Sequence, residues 1–170
     1  FRKRAADDYS AVSEATISAL SQAEEYWERS FDIVAQLMPN CPLRNASTIT
    51  DSLQAFRKNM RLCPFQISCF KFGWMNPWWA FKLGPSGEPL SLLPNALESR
   101  SQDLPDLFCP TGAIWIASSE ELKSAGTFYG NGFRLEPIPW KSAVDIDDQE
   151  DLEFAKAVGL LDGIDSVIVD

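Results

Sequence analysis

The strongest constraint on this chain is an alternation of hydrophobic periods. Its first 71 residues read helix, strand, helix, strand. Residues 10–29 carry Ala11, Ala15, Ala19, Ala23 and Trp27 at i+4 steps, beside Val12, Thr16 and Leu20, with Ser10 as a helix N-cap. The short apolar run 31–38 is closed by Pro39 and predicts a buried strand of the parallel-sheet kind. A second helix opens at Ser47 or Thr48 and turns Ile49, Leu53, Phe56 and Met60 to one side. Residues 64–71 predict another strand. Alternation of this kind argues for an α/β layered fold with a parallel sheet. Further on, 111–117 reads as a strand. Ser118 with Glu121 forms a capping box for a short helix that ends at Gly126. Residues 133–138 predict a strand. Residues 143–147 run straight into a helix with Leu152, Ala155 and Val158 on one face and Gly159 as its stop.

A chain of 170 residues is one ordinary domain, and 45% apolar with 23% charged is a globular mix. Histidine is absent. That removes Ser-His-Asp and Cys-His triads, His-ligated zinc and any imidazole proton transfer. Chemistry here must rest on carboxylates, amines, hydroxyls, backbone dipoles or an oxygen-ligated metal. The four cysteines at 41, 63, 69 and 109 form no CxxC pair, which argues against zinc and for free thiols in a reducing compartment. No apolar run approaches the ~20 residues of a membrane helix, and no charged-then-apolar leader opens the chain. The expected location is the cytoplasm. The net charge of −9 is concentrated: residues 145–170 hold nine acids against Lys156. Arg2-Lys3-Arg4 is answered at once by Asp7-Asp8, so neither nucleic acid nor a membrane surface is an expected partner.

Residues 72–110 interrupt the alternation with Trp74, Trp78, Trp79, Phe81, Phe108 and six prolines. Gly84-Pro85-Ser86-Gly87 reads as a hairpin turn. Clustered aromatics of this sort either pack against a second subunit or form a small core under a long loop.

Four places invite chemistry. In a strand, Asp145 and Asp147 share one face; two converging carboxylates repel unless a cation lies between them, and oxygen ligands suit Mg²⁺. Alternatively, Asp147 or Asp148 caps the following helix. The loop Pro39–Arg44 leaves the carboxyl end of a strand, where open α/β sheets bind ligands, and Arg44 suits a phosphate or carboxylate. Residues 100–105 with 109–113 offer polar groups at a strand entry. Phe128-Tyr129-Gly130 offers either an apolar wall or plain packing.

Taken in order, the stretches FRKRAADDYS (1–10), LMPNCPLRNASTI (37–49), NPWWAFKL (76–83), RSQDLP (100–105), PTGAIWIA (110–117) and SAVDIDDQEDLEFA (142–155) resemble the acylneuraminate cytidylyltransferases. That family includes the CMP-sialic, pseudaminic and legionaminic acid synthetases. The resemblance implies a Rossmann-like nucleotide-diphospho-sugar transferase fold: three layers around a mixed, mostly parallel sheet, in a single α/β domain spanning 1–170. It implies that residues 72–108 are an inserted arm that builds a homodimer. It implies transfer of CMP from CTP to a nine-carbon sugar acid with loss of pyrophosphate, Asp145 and Asp147 holding Mg²⁺. Arg44, Gln102, Thr111, Trp115, Phe128 and Tyr129 are the implied substrate-binding residues, with Gln102 and Thr111 facing the sugar and Phe128 and Tyr129 near its acyl group. The chain departs from the family's usual pattern at Met38 (for Gln), Ser101 (for Arg) and Thr111 (for Asn). It also contains no Gly/Arg/Lys-rich loop of the kind that cradles CTP phosphates. The resemblance therefore implies the N-terminally truncated, C-terminal part of a longer enzyme, inactive alone and a weak binder of CTP. The alternative is a non-catalytic dimerising or sugar-acid-binding remnant.

Overall fold

A computed structural model describes residues 11–73 and 75–168; the first matching stretch, the predicted cap Ser10 and Trp74 lie outside the described residues. Helix α1 (Val12–Trp27) begins without a side-chain cap and ends where Glu28 takes a left-handed conformation. Strand β1 (Ile33–Gln36) follows, then α2 (Ala46–Asn59) and β2 (Phe65–Lys71). The alternation predicted for this half is therefore present. Asn45 explains the start of α2: its side chain accepts from the Thr48 N–H and from the Thr48 hydroxyl, both at 2.9 Å. Arg57 and Lys58 close the helix with charges its dipole favours.

A hairpin of β3 (Phe81–Leu83) and β4 (Pro89–Ser91) forms a separate two-stranded ribbon around the predicted turn, with Gly87 at φ +82°. Then come β5 (Phe108–Ser118), α3 (Ser119–Ala125), β6 (Phe133–Pro137), a 3-10 turn at Trp140–Ala143, and α4 (Gln149–Ile168).

The main sheet has the order β1-β5-β2-β6. It is mixed, as expected, but β2–β6 is parallel while β1–β5 and β2–β5 are antiparallel. The expectation of a mostly parallel sheet is corrected by β5, which runs against both neighbours. Residues 31–38 are likewise not a buried parallel strand. β1 is shorter, half-buried, and paired antiparallel on one side only among the described residues. Helices cover both faces, giving the expected three layers. Phe56 of α2 packs with Ile114, Ile116, Ile138 and Cys41 on one face. Phe65, Ile67, Ala117, Leu122 and Phe128 pack on the other, with Ile17 of α1 against them. Burial of each such large side chain contributes about 1.5–3 kcal/mol.

Four local expectations fail for physical reasons. The buried face of α1 is Ser13, Thr16 and Leu20, one position off the alanine column. Polar groups are admitted there because the Thr16 hydroxyl bonds Val12 O at 2.9 Å and Gln36 Oε1 at 2.7 Å. Ser118 occupies the N-cap of α3 but makes no side-chain cap bond; its N–H is held by Pro64 O as the last residue of β5. Gly126 does end that helix, at φ +70°. Gly159 does not stop α4, which runs on to Ile168; a side chain at 159 would come against Leu43. Finally, 143–147 is not a strand. The chain leaves the 3-10 turn at Val144 and reaches α4 as an extended loop.

Candidate functional site

Three segments from distant parts of the sequence meet at one end of the sheet. The first is the loop after β1, Met38–Arg44. The second is an irregularity in β5, where pairing with β2 shifts register between Ile67 and Cys69. The Ser68 hydroxyl fills the gap in the ladder, accepting from Ile114 N at 2.9 Å and donating to Thr111 O at 3.1 Å. A bulge of this kind redirects backbone groups, and here carbonyls of 112 and 113 turn toward the first segment. The third segment is the loop Ala143–Asp148.

Arg44 joins the first two. Its Nη1 donates to Met38 O at 2.9 Å and to Ala113 O at 2.8 Å, while Met38 N reaches Gly112 O at 3.3 Å. Gly112 lies close under the Met38 side chain, so a side chain at 112 would make the Met38 thioether move. The Arg44 nitrogen that sequence reading offered to a phosphate is thus engaged by two backbone carbonyls. Arg44 is a strut in this structure.

Thr111 joins the second and third segments. It is buried; its hydroxyl donates to Ala143 O at 3.2 Å and accepts from Ala113 N at 3.3 Å. Both of these bonds are to the protein's own backbone. Thr48 and Ser142 add a hydroxyl pair at 3.3 Å just upstream of the acidic loop.

The acidic residues separate into two roles. Asp148 caps α4, its Oδ1 accepting from Glu150 N at 2.8 Å and Asp151 N at 3.0 Å. Asp151 answers through Oδ2, accepting from Asp147 N at 3.0 Å and Asp148 N at 3.1 Å. Of the two caps considered, Asp148 is the one used. The carboxylates of Asp145 and Asp147 are left for other work. Burial pushes the Asp145 carboxyl above its usual range, and the negative charge of Asp147 raises it further. A carboxylate pair in mutual repulsion, with oxygen donors only, is the donor set that Mg²⁺ shares with substrate phosphates. No group of three or more Cys, Asp or Glu side chains able to hold a metal occurs among the described residues, so any ion here takes its remaining ligands from water or substrate.

Asn40 was not singled out from sequence. Its carbonyl accepts from Ile146 N at 2.9 Å, and its amide Nδ2 donates to Asp147 Oδ1 at 3.3 Å. No feature of a single sequence links positions 40 and 147. Cys41 beside it is buried, and its thiol is pushed up by burial and by the Asp145 charge. All four cysteines are free, with Cys41 and Cys69 buried and Cys63 and Cys109 partly so.

The other expected substrate residues differ in their surroundings. Gln102 is exposed on the 3-10 turn Ser101–Asp103. Phe128 is 0% exposed and belongs to the core under α3, so it walls no pocket. Trp115 packs edge-on against Phe128 and Tyr129, and its Nε1 donates to Thr111 O at 2.8 Å. Tyr129 is half-exposed beside Phe133.

The ribbon region combines a small packed cluster with exposed apolar side chains. Trp79 Nε1 bonds Ala96 O at 3.2 Å over a buried Ala96, a small local core. Phe81, Leu83, Leu90 and Leu92 nevertheless stand exposed. No helix among the described residues is long and apolar enough to cross a membrane.

The mixed sheet between two helical layers defines a three-layer α/β fold. A structure of CMP:2-keto-3-deoxy-manno-octonic acid synthetase complexed with CTP superposes with a TM-score of 0.57 at 14% identity, over 92% of this chain and 70% of that one. No family model matches the chain. By sequence it is 25% identical over 154 residues to the pseudaminic acid cytidylyltransferase of Campylobacter jejuni subsp. jejuni serotype O:23/36 (strain 81-176). The same enzyme of serotype O:2 (strain ATCC 700819 / NCTC 11168) matches at 25% over 154 residues too. Both alignments cover 91% of this chain, which spans 65% of the length of these relatives. The two relatives are cytidylyltransferases of the kind its motifs resemble.

Proposed function

We propose that this chain is the body of a cytidylyltransferase that moves CMP from CTP to a nine-carbon sugar acid. The observation that carries the proposal is the Asp145–Asp147 pair. It is kept out of the α4 cap and set on a loop braced by Asn40 and Thr111. The likeness to two pseudaminic acid cytidylyltransferases supports the substrate class.

In this reading Asp145 and Asp147 hold Mg²⁺, which when bound supplies positive charge against the phosphates of CTP. The protein's part is positioning. A hydroxyl of the sugar acid attacks the α-phosphorus, the bond to the bridging oxygen breaks, pyrophosphate leaves, and the hydroxyl proton passes to solvent. Such a step needs alignment and charge neutralisation, and no histidine. Gln102 and Tyr129 are the exposed residues of the expected substrate set. Among the described residues β1 is paired on one side only, which leaves an edge where a further strand can add. The exposed leucines and Phe81 of the ribbon are assigned to a homodimer contact. Four free cysteines fit the cytoplasm.

One observation favours the remnant reading. Thr111 and Arg44, both expected at the substrate, bond only the protein's own backbone in the contacts described above. The test is pyrophosphate release from CTP with Mg²⁺ and a panel of sugar acids. It compares this chain with the same chain extended by whatever reads in frame upstream. Turnover by the extended protein, lost in D145N and D147N, is the expected result. Sugar-acid binding without turnover in either form establishes the remnant.

A further inference from the structure

We propose that Asn40 and Thr111 are positioning residues, which together set the direction of the Asp145 and Asp147 carboxylates. The inference rests on the reading of that pair as a metal site.

The loop that carries the pair belongs to no strand, so no ladder of backbone bonds holds it. It is pinned instead at separate points. Thr111 takes Ala143 O, two residues before Asp145. Asn40 O takes Ile146 N, between the two acids. Asp151 takes Asp147 N and Asp148 N behind the second acid. Each carboxylate therefore stands between two fixed backbone points, which limits how far the pair can splay under its own repulsion. Asn40 adds a direct contact, its amide donating to Asp147 Oδ1. A neutral amide orients a carboxylate without cancelling its charge. An arginine in the same place would hold it more tightly and compete with a cation. Groups that hold metal ligands in this way commonly alter affinity by one to two orders of magnitude when removed.

Arg44 and Gly112 complete the brace one step further out. They fix the Met38 end of the loop that bears Asn40 against the bulge that bears Thr111. Positions 40 and 111 thus act on the acids from two different elements, and their effects are separable by mutation.

The test is Mn²⁺ titration of the full 170-residue chain, followed by electron paramagnetic resonance, with melting temperature recorded for every variant. D145N and D147N probe the metal reading itself. N40A keeps the backbone bond to Ile146 and deletes only the side-chain donor, so a folding defect is not expected. T111V keeps the shape and deletes the hydroxyl; it is measured well below its own melting point. The expected result is loss of binding in D145N and D147N, and Mn²⁺ affinity lowered roughly tenfold in N40A and in T111V, with N40A melting as the wild type does. Wild-type affinity in either variant, while the two Asp variants lose binding, removes that residue from the proposal and leaves the metal reading standing. Equal binding by wild type, D145N and D147N, or no binding by the wild type, overturns the metal reading and this inference together.

Discussion

The guanidinium of Arg44 donates to the carbonyl of Ala113 at 2.8 Å, tying the loop after β1 to the bulge in β5. The same nitrogen reaches Met38 O at 2.9 Å, so one charged donor holds both ends of the junction. Backbone carbonyls turned outward by a bulge need partners, and a long cationic side chain supplies them without another strand.

This relationship makes Arg44 a stability residue first. Arg44→Met is expected to lower unfolding free energy by about 2 kcal/mol, the range for hydrogen bonds from a charged donor. Because a single nitrogen makes both bonds, Arg44→Lys should retain part of that. Urea denaturation of the three proteins decides it. A wild-type midpoint in Arg44→Met would return the side chain to a ligand-binding role.

The cap of α4 gives a second expectation. Asp148→Ala removes the acceptor for two N–H groups in the first turn, and should cost about 1 kcal/mol. Asp145→Ala, which removes no cap bond, should leave stability close to wild type. Thermal melts followed by circular dichroism separate the two.

Phe128 and Tyr129 are adjacent in sequence but differ in fate. Phe128 is fully buried, so Phe128→Ala is expected to cost about 3–5 kcal/mol. Tyr129 is 49% exposed, and its removal deletes ring contacts with Trp115 and Phe133 only, about 1 kcal/mol. Chemical denaturation of both variants checks this. A larger loss for Tyr129→Ala would contradict the placement of the two rings.

The ion pair between Glu24 and Lys123 ties α1 to α3. The bond from Lys123 holds the Glu24 carboxyl below its ordinary value of 4.5, opposed in part by burial. A carboxyl depressed in the folded state contributes stability that is present in full above its unfolded pKa. That stability is lost as pH falls through the folded value. Wild type should therefore melt above Glu24→Gln at pH 7, and the gap should close on acidification below about pH 4.5. A gap that widens in acid would show the sign to be wrong.

Local signals were sufficient wherever one segment settles its own form. The spacing of Ile49, Leu53, Phe56 and Met60 predicts α2, and the glycine-rich turn at 84–87 predicts the ribbon, because both depend on neighbours within a few residues. The pairing of acids at 145 and 147 was legible as a candidate site for the same reason. What escaped is long-range. β5 runs antiparallel to β1 and β2, which no hydrophobic period encodes, since a strand shows the same apolar pattern in either direction. The bond from the Thr111 hydroxyl to Ala143 O joins positions 32 apart, which no local pattern encodes. Gly159 was expected to end α4, yet the helix continues where it packs beside Leu43. The sequence by itself determined most of the elements and the identity of the acids. Only the tertiary structure decided that Asn40 meets Asp147 and that β5 runs against both its neighbours. Those outcomes depend on which polar groups find partners once distant segments pack, and residues 40 and 147 stand 107 positions apart.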